Sequence, residues 1–228
     1  MPAPVRLDAW QTLVAGSFLT AVASLSPGGV NVMEPKQAGA NLGDARYEGV
    51  RLFVALDFDG VINQFPGEVV PEGVFAPTGK HKSVYRTELG EWYAITYSEE
   101  MVADLNEILV DPAVQLLWLT TWQHRVIGEM EALGLKTARE PLWLQFLPRM
   151  SDYGGVHAKC AVFDDLVEGL PGDVGVIWVD DQAIAVHLAY AQDAPDEPGL
   201  LVAADPRYGI TRPQMAQIRE YAARYMRP

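Results

Sequence analysis

Four stretches of the chain are apolar over the length of a single strand. They are Arg51 to Phe58 (RLFVALDF), Ala113 to Thr120 (AVQLLWLT), Asp173 to Asp180 (DVGVIWVD) and Pro198 to Asp205 (PGLLVAAD). A continuous apolar run, unlike an alternating one, predicts a strand buried on both faces. EPLWLQFL, residues 140–147, reads as a further short strand. Helical signals fill the gaps. Ser98 followed by two acids predicts an N-cap and a helix over Glu99 to Val110, ended by Asp111-Pro112. HRVIGEMEALG ends at Gly134, and VHAKCAVFDDLVEG is bounded by Gly155 and Gly169. DQAIAVHLAYAQD and RPQMAQIREYAARYM, with Pro213 in its first turn, complete the series. EWYAITYS alternates and pairs with SVYRTE across Leu89-Gly90, which predicts a hairpin.

Apolar strands alternating with helices predict an α/β domain with a parallel sheet covered on both faces. In such sheets reactive groups gather at the carboxyl ends of the strands. Three strands put polar residues there. The first ends in Asp57 and Asp59, the second in Thr120 and Thr121, the third in Asp180 and Asp181.

Residues 1–50 break this rhythm. SPGGVNVMEPKQAGANLGD has no sustained period and reads as a tail or linker, with a short helix over Thr12 to Leu25 before it. Arg6 and Ala21-Val22-Ala23 flank that apolar run as in a secretion signal, but Asp8 offsets the charge, so a cytoplasmic location is expected. Met33 offers a second point at which translation would start.

Composition sharpens the picture. The 228 residues are 49% hydrophobic and 21% charged, the balance of a folded globular chain. A net charge of −13 opposes duplex nucleic acid and anionic membranes at long range. Cys160 is the one cysteine, so no internal disulfide forms, and no run is long enough to span a membrane. Nothing in the pattern sets an oligomeric state.

The four acids Asp57, Asp59, Asp180 and Asp181 are expected to crowd one crevice, and buried carboxylates need a cation or a proton. An all-oxygen site suits Mg²⁺, which bridges carboxylates and phosphate oxygens. Lys159 is placed to reach the same crevice and hold a phosphate or a nucleophile. Thr120 offers a hydroxyl to a phosphoryl oxygen, and a shift of one residue would put Thr121 in its place. Gly60 allows a tight turn that presents amide groups to an anion.

LDFDGV, LLWLTT, the single Lys159 and VIWVDD, in this order, resemble the haloacid dehalogenase (HAD) superfamily of phosphohydrolases. The resemblance covers Arg51 to the end. LWLTTW, VDD and DPRYGIT further resemble the HAD domains of the "Swiss Army knife" RNA repair group. It implies a Rossmannoid three-layer sandwich with a small β-hairpin flap, within residues 64–98, in place of a large cap. It also implies a Mg²⁺-dependent phosphomonoester hydrolase. Asp57 would be the nucleophile and Asp59 the general acid and base, its backbone carbonyl also on the metal. Thr120 and Lys159 would hold the phosphoryl group, and Asp180 and Asp181 would anchor Mg²⁺. Dehalogenase relatives lack the second aspartate, which disfavours dehalogenation.

The partner expected is a phosphorylated small molecule, a nucleotide or a nucleic-acid end. Gly60, Thr121, Trp122 and His124 are candidates to contact it, with Trp122 and His124 lining a leaving-group pocket or simply packing at a helix start. Lys80, His81, Lys82 and Arg86 cluster on the hairpin, either toward a second phosphate or as a solvated face. His157, His187 and Cys160 are expected to be structural. Trp118, Trp143 and Trp178 are expected in the core. A phosphate-binding module without turnover, and a partner-binding protein working through its tail, are the rival readings.

Overall fold

The computed structural model describes residues 48–67, 69–86, 91–143, 154–190 and 199–226. The expectations for residues 1–47, for the turn at Leu89-Gly90 and for residues 144–153 lie outside them. Five strands form one parallel sheet: β1 Leu52–Leu56, β4 Val114–Trp118, β5 Leu142–Trp143, β6 Gly175–Asp180 and β7 Leu200–Ala203. Their order is β5-β4-β1-β6-β7. β1 pairs with β4 on one side, Leu52 opposite Val114, and with β6 on the other, Leu52 opposite Gly175.

The continuous apolar runs make sense in this frame, because alternate residues enter two separate cores. Leu52, Val54 and Leu56 join Trp118, Ile177 and Val179 on one face. There they meet α1 Glu99–Leu109, α2 Ile127–Leu133 and α5 Arg212–Ala222. Phe53 and Ala55 join Leu117 and Trp178 on the other face. There they meet α3 Gly154–Gly169 and α4 Ala183–Tyr190. The fold is a Rossmann-like three-layer α/β arrangement.

Local signals set the helix ends. The Ser98 hydroxyl accepts the Met101 N–H, which starts α1. Thr211 and Gln214 form a reciprocal capping box at α5. Gly134 closes α2 with a left-handed backbone at φ +74°. Residues 123–126 make a 3₁₀ turn before α2, where one helix from His124 was expected.

The hairpin pairs β2 Gly79–Arg86 with β3 Trp92–Tyr97 and starts four residues earlier than its sequence suggests. Its apolar signal is weak there because the added residues are Gly79 to Lys82. Gly79 packs directly under the Tyr97 ring, where a β-carbon would lie 2.4 Å from ring carbon. Lys80, Lys82, Val84 and Trp92 are exposed on one face, while Ser83, Ile95 and Tyr97 are buried on the other. Lys82 lies over the Trp92 ring at 5.5 Å. The basic cluster therefore divides, since His81 turns inward to Glu129. The Arg86 side chain lies outside the described residues.

Trp118 and Trp178 are fully buried, as expected, whereas Trp143 on the edge strand is 40% exposed. His187 packs edge-on against Phe163 and Trp178, each at 5.4 Å between ring centres. Among the described residues no helix is long and apolar enough to cross a membrane.

The chain order fixes where a site belongs. From β1 it runs outward through β4 to β5, then returns to β6 on the other side of β1. A crevice opens at the carboxyl ends of the strands at such a reversal. The loop after β1 is secured from below by the turn at Asp205 to Ile210. Gly209, at φ +64°, brings its Cα so close that a β-carbon would lie 2.2 Å from the Val61 carbonyl oxygen. Gly209→Ala is expected to lower the unfolding free energy by at least about 2 kcal/mol, from left-handed strain plus the clash. Gly172→Ala, whose added carbon meets nothing within 4 Å, is expected to stay within about 0.5 kcal/mol. Urea denaturation of both variants checks the contrast.

Candidate active site

Lys159 is buried on α3, and its ammonium meets two carboxylates at once. Nζ lies 2.5 Å from Asp57 Oδ2 and 2.7 Å from Asp180 Oδ2. Asp57 directly follows β1, and its own N–H donates to the Val179 carbonyl of β6 at 3.0 Å. Its Oδ1 accepts the Phe58 N–H at 2.7 Å. Asp180 ends β6, and its Oδ1 accepts from the N–H groups of Gln182 and Ala183 at 2.8 and 2.6 Å. It thus caps α4 while its other oxygen holds Lys159. The ion pairs are charge-assisted and shielded from water, so they are short and directional.

Asp181 joins this group. Asp57, Asp180 and Asp181 each offer a carboxylate oxygen, and the three atoms lie within 4.8 Å of one another. Gly60, at φ +76°, makes the approach possible, since a β-carbon there would lie 2.5 Å from Asp181 Oδ2. The Gly60 N–H donates to the Asn63 carbonyl at 2.8 Å, so its part here is room and turn, and its amide is taken.

Among the described residues three carboxylates face one ammonium here, and positive charge is short. Burial pushes the Asp57 carboxyl up to about 7; Lys159 opposes this and Asp180 adds to it. Burial and the charge of Asp180 likewise raise Asp181. For Lys159 burial alone would lower the pKa, but the attraction of Asp57 and Asp180 outweighs it and raises it. A set of hard oxygen donors with excess negative charge fits a divalent cation such as Mg²⁺.

No family model matches this chain, and neither a curated protein nor a solved structure matches it. Function therefore has to be read from the residues and their geometry.

The carboxylate of Asp59 stands apart from the three-oxygen cluster. Its Oδ1 accepts from Asn63 Nδ2 at 2.7 Å. Its Oδ2 accepts from Trp122 Nε1 at 2.8 Å and from the Tyr93 hydroxyl at 3.2 Å. A role for Asp59 as a side-chain metal ligand has no support in this arrangement. Both acids lie beyond Leu56, where strand alternation has ended, so Asp57 and Asp59 turn to different partners.

Thr120 is fully buried just beyond β4, and its hydroxyl oxygen accepts the Trp122 N–H at 3.3 Å. Leu119 N–H donates to the Leu56 carbonyl at 2.8 Å, which carries the sheet ladder up to that point. Thr121 and His124 are exposed. Trp122 is partly buried, with Phe58 and Tyr93 edge-on at 4.9 and 4.8 Å and Tyr85 at 6.4 Å. Gln123 follows with φ +54°, the only left-handed non-glycine among the described residues.

Asn63 and Tyr93 are site residues that the sequence pattern did not single out. Asn63 was visible as a polar residue closing DGVIN, and Tyr93 only as one aromatic among several in an alternating strand. Cys160 is half-buried with Sγ 3.7 Å from the Ala183 carbonyl oxygen, and burial pushes its thiol up to about 11. It is a packing residue.

The raised pKa of Asp57 gives a pH prediction. Between about pH 4 and about pH 7 the folded chain keeps a proton that the unfolded chain has released. This group therefore lowers the stability of the cation-free protein as pH rises through that window. A divalent cation competes with the same proton. Added Mg²⁺ is expected to raise the melting temperature more at about pH 8 than at about pH 5.5. Scanning calorimetry reads this directly, and equal shifts at both pH values would count against a cation at this cluster.

Proposed function

We propose that this chain is a divalent-cation-dependent phosphomonoester hydrolase of the HAD type, working through an aspartyl-phosphate. One observation carries the reading. Asp57, Asp180, Asp181 and Lys159 converge at the sheet's reversal point, with a separately held acid, Asp59, two residues beyond the first.

In this reading an Asp57 carboxylate oxygen attacks phosphorus in line as the ester P–O bond breaks. Asp59 gives its proton to the departing oxygen, which leaves as an alcohol. Water then attacks phosphorus and Asp59 takes its proton. The bond from phosphorus to the Asp57 oxygen breaks, so inorganic phosphate leaves and both carboxyl groups return to their first state. Lys159 steadies the Asp57 carboxylate throughout and stabilises charge on the transferring group. Thr120 would donate its hydroxyl to a phosphoryl oxygen. Held by Asp57, Asp180 and Asp181, Mg²⁺ would neutralise the repulsion between those carboxylates and the phosphoryl oxygens.

Two carboxylates with different surroundings favour this division of labour. Asp57 sits against an ammonium and beside other acids, as a nucleophile must if its charge is to be controlled. Asp59 is held apart from that charge by the neutral donors Asn63, Trp122 and Tyr93. The substrate class is a phosphate monoester, with nucleotides and polynucleotide ends included among the candidates.

A screen of phosphorylated compounds with Mg²⁺, including 3′- and 5′-phosphorylated oligonucleotides, tests the proposal. Phosphate release is expected to require Mg²⁺ and to stop on chelation. Asp57→Asn is expected to lower it by about 10³-fold or more. Equal release by the wild type and this variant would sink the nucleophile assignment. Phosphate binding without any release would mark a binding module.

A further inference from the structure

The donors around Asp59 come from three separate parts of the chain. Asn63 belongs to the loop after β1, Trp122 to the turn after β4, and Tyr93 to β3 of the hairpin. Each donor is itself held in place. Asn63 is buried, and its Oδ1 accepts the Thr96 N–H of β3 at 2.9 Å. The Trp122 ring is wedged against Phe58 and Tyr93. Tyr93 rides on a hairpin whose other strand is fastened to α2. There Glu129 is fully buried, with Oε2 2.8 Å from His81 Nε2 and Oε1 accepting the Ser83 hydroxyl at 2.5 Å.

Such an arrangement exceeds what a surface carboxylate needs. A partly exposed Asp could satisfy its oxygens with water at little cost. Here protein groups engage both oxygens, and they approach from three directions. That fixes the side-chain torsions as well as the charge. Reacting groups misplaced by about 1 Å can lose about 10²-fold in rate, so an acid and base of this kind repays rigid support.

We propose that Tyr93 and Trp122 are positioning residues for Asp59, and that the hairpin is thereby part of the acid–base machinery. This rests on the phosphohydrolase reading above. Tyr93 suits the task because burial and the neighbouring Asp59 charge raise its pKa, so its phenol remains a donor. Trp122 suits it because an indole N–H only donates. The pair also ties the carboxylate to two elements that pack on each other, so a shift of the hairpin would move the acid.

Dependence on the leaving group separates positioning from mere structural support. Nitrophenolate departs without help, whereas an alkoxide needs a proton delivered as the bond breaks. The series runs from p-nitrophenyl phosphate through phenyl phosphate to an alkyl phosphate, with Mg²⁺ present, and kcat/KM is measured. Tyr93→Phe removes one oxygen and leaves the ring packing intact. It is expected to lose about 3-fold or less on the nitrophenyl ester and about 10-fold or more on the alkyl ester. Trp122→Phe, which removes the shorter contact, is expected to show a steeper divergence. Gly172→Ala, in the loop before β6 and away from the hairpin, is expected to follow the wild type across the series. Uniform loss across the series in both variants, or no loss in either, overturns the proposal while the phosphohydrolase reading stands. A wild-type chain inert toward every member overturns that reading and this inference together.

Discussion

The contact on which the structure turns is the Lys159 ammonium between Asp57 and Asp180. Charges removed from water are costly, and two carboxylates brought together at a strand end repel each other. The ammonium answers both problems, but only if β1 and β6 are neighbours and α3 lies across them. Removing one partner of such a buried group generally costs about 3–5 kcal/mol, because the others are left uncompensated. The arrangement thus couples a helix on one face of the sheet to the two central strands. It also explains why Asp180 can cap α4 at the same time, since its second oxygen is engaged with α4's first amides. One side chain serves the fold and the site together.

A second buried carboxylate plays a comparable part at the hairpin. Glu129 is held by His81 and Ser83, and this contact sets the inner face of β2 against α2. With β2 fixed, the pairing of β2 with β3 places Tyr93 over Asp59 and Thr96 against Asn63. The hairpin is too small to bury a core of its own, and isolated two-stranded hairpins are marginal in water. Its position depends on these few polar contacts and on the apolar inner residues Ile95 and Tyr97.

The parallel sheet was legible because strands buried on both faces are apolar at nearly every position, Gln115 of β4 being held by backbone carbonyls. The same property made Asp57, Thr120 and Asp180 stand out where each run ends. Lys159 was legible as the one cation in a long helix that ends just before β6. The partners of Asp59 were not legible in the same way. Asn63, Tyr93 and Trp122 are brought together by tertiary pairing, and no spacing along the chain announces that. Glu129 sits among the mixed residues of GEMEALG and reads as an exposed helical acid, because local pattern carries no sign of a distant histidine and serine. The early start of the hairpin was hidden for a related reason. Gly79 to Lys82 have weak strand propensity, and it is their pairing with Ala94 to Tyr97 that makes them a strand.

Charge limits what the crevice can hold. Among the described residues the one ammonium at this cluster, Lys159, is already shared by two carboxylates, so it has little attraction left for an incoming anion. With Asp181 counted, three carboxylates against one ammonium leave an excess of two negative charges when all are ionised. They belong to a chain whose total net charge is −13, most of it borne by residues outside the crevice. At physiological salt that outer charge is screened beyond about 8 Å, so the repulsion that matters is inside the crevice. A phosphate monoester is therefore compatible with this site only when positive charge is supplied there. The same excess that pushes Asp57 upward is what makes the oxygen cluster a fit for a divalent ion. In a site that took a phosphate monoester, cation affinity and phosphate recognition would be two consequences of one electrostatic imbalance. Asp59, held outside the cluster by neutral donors, stands apart from that imbalance.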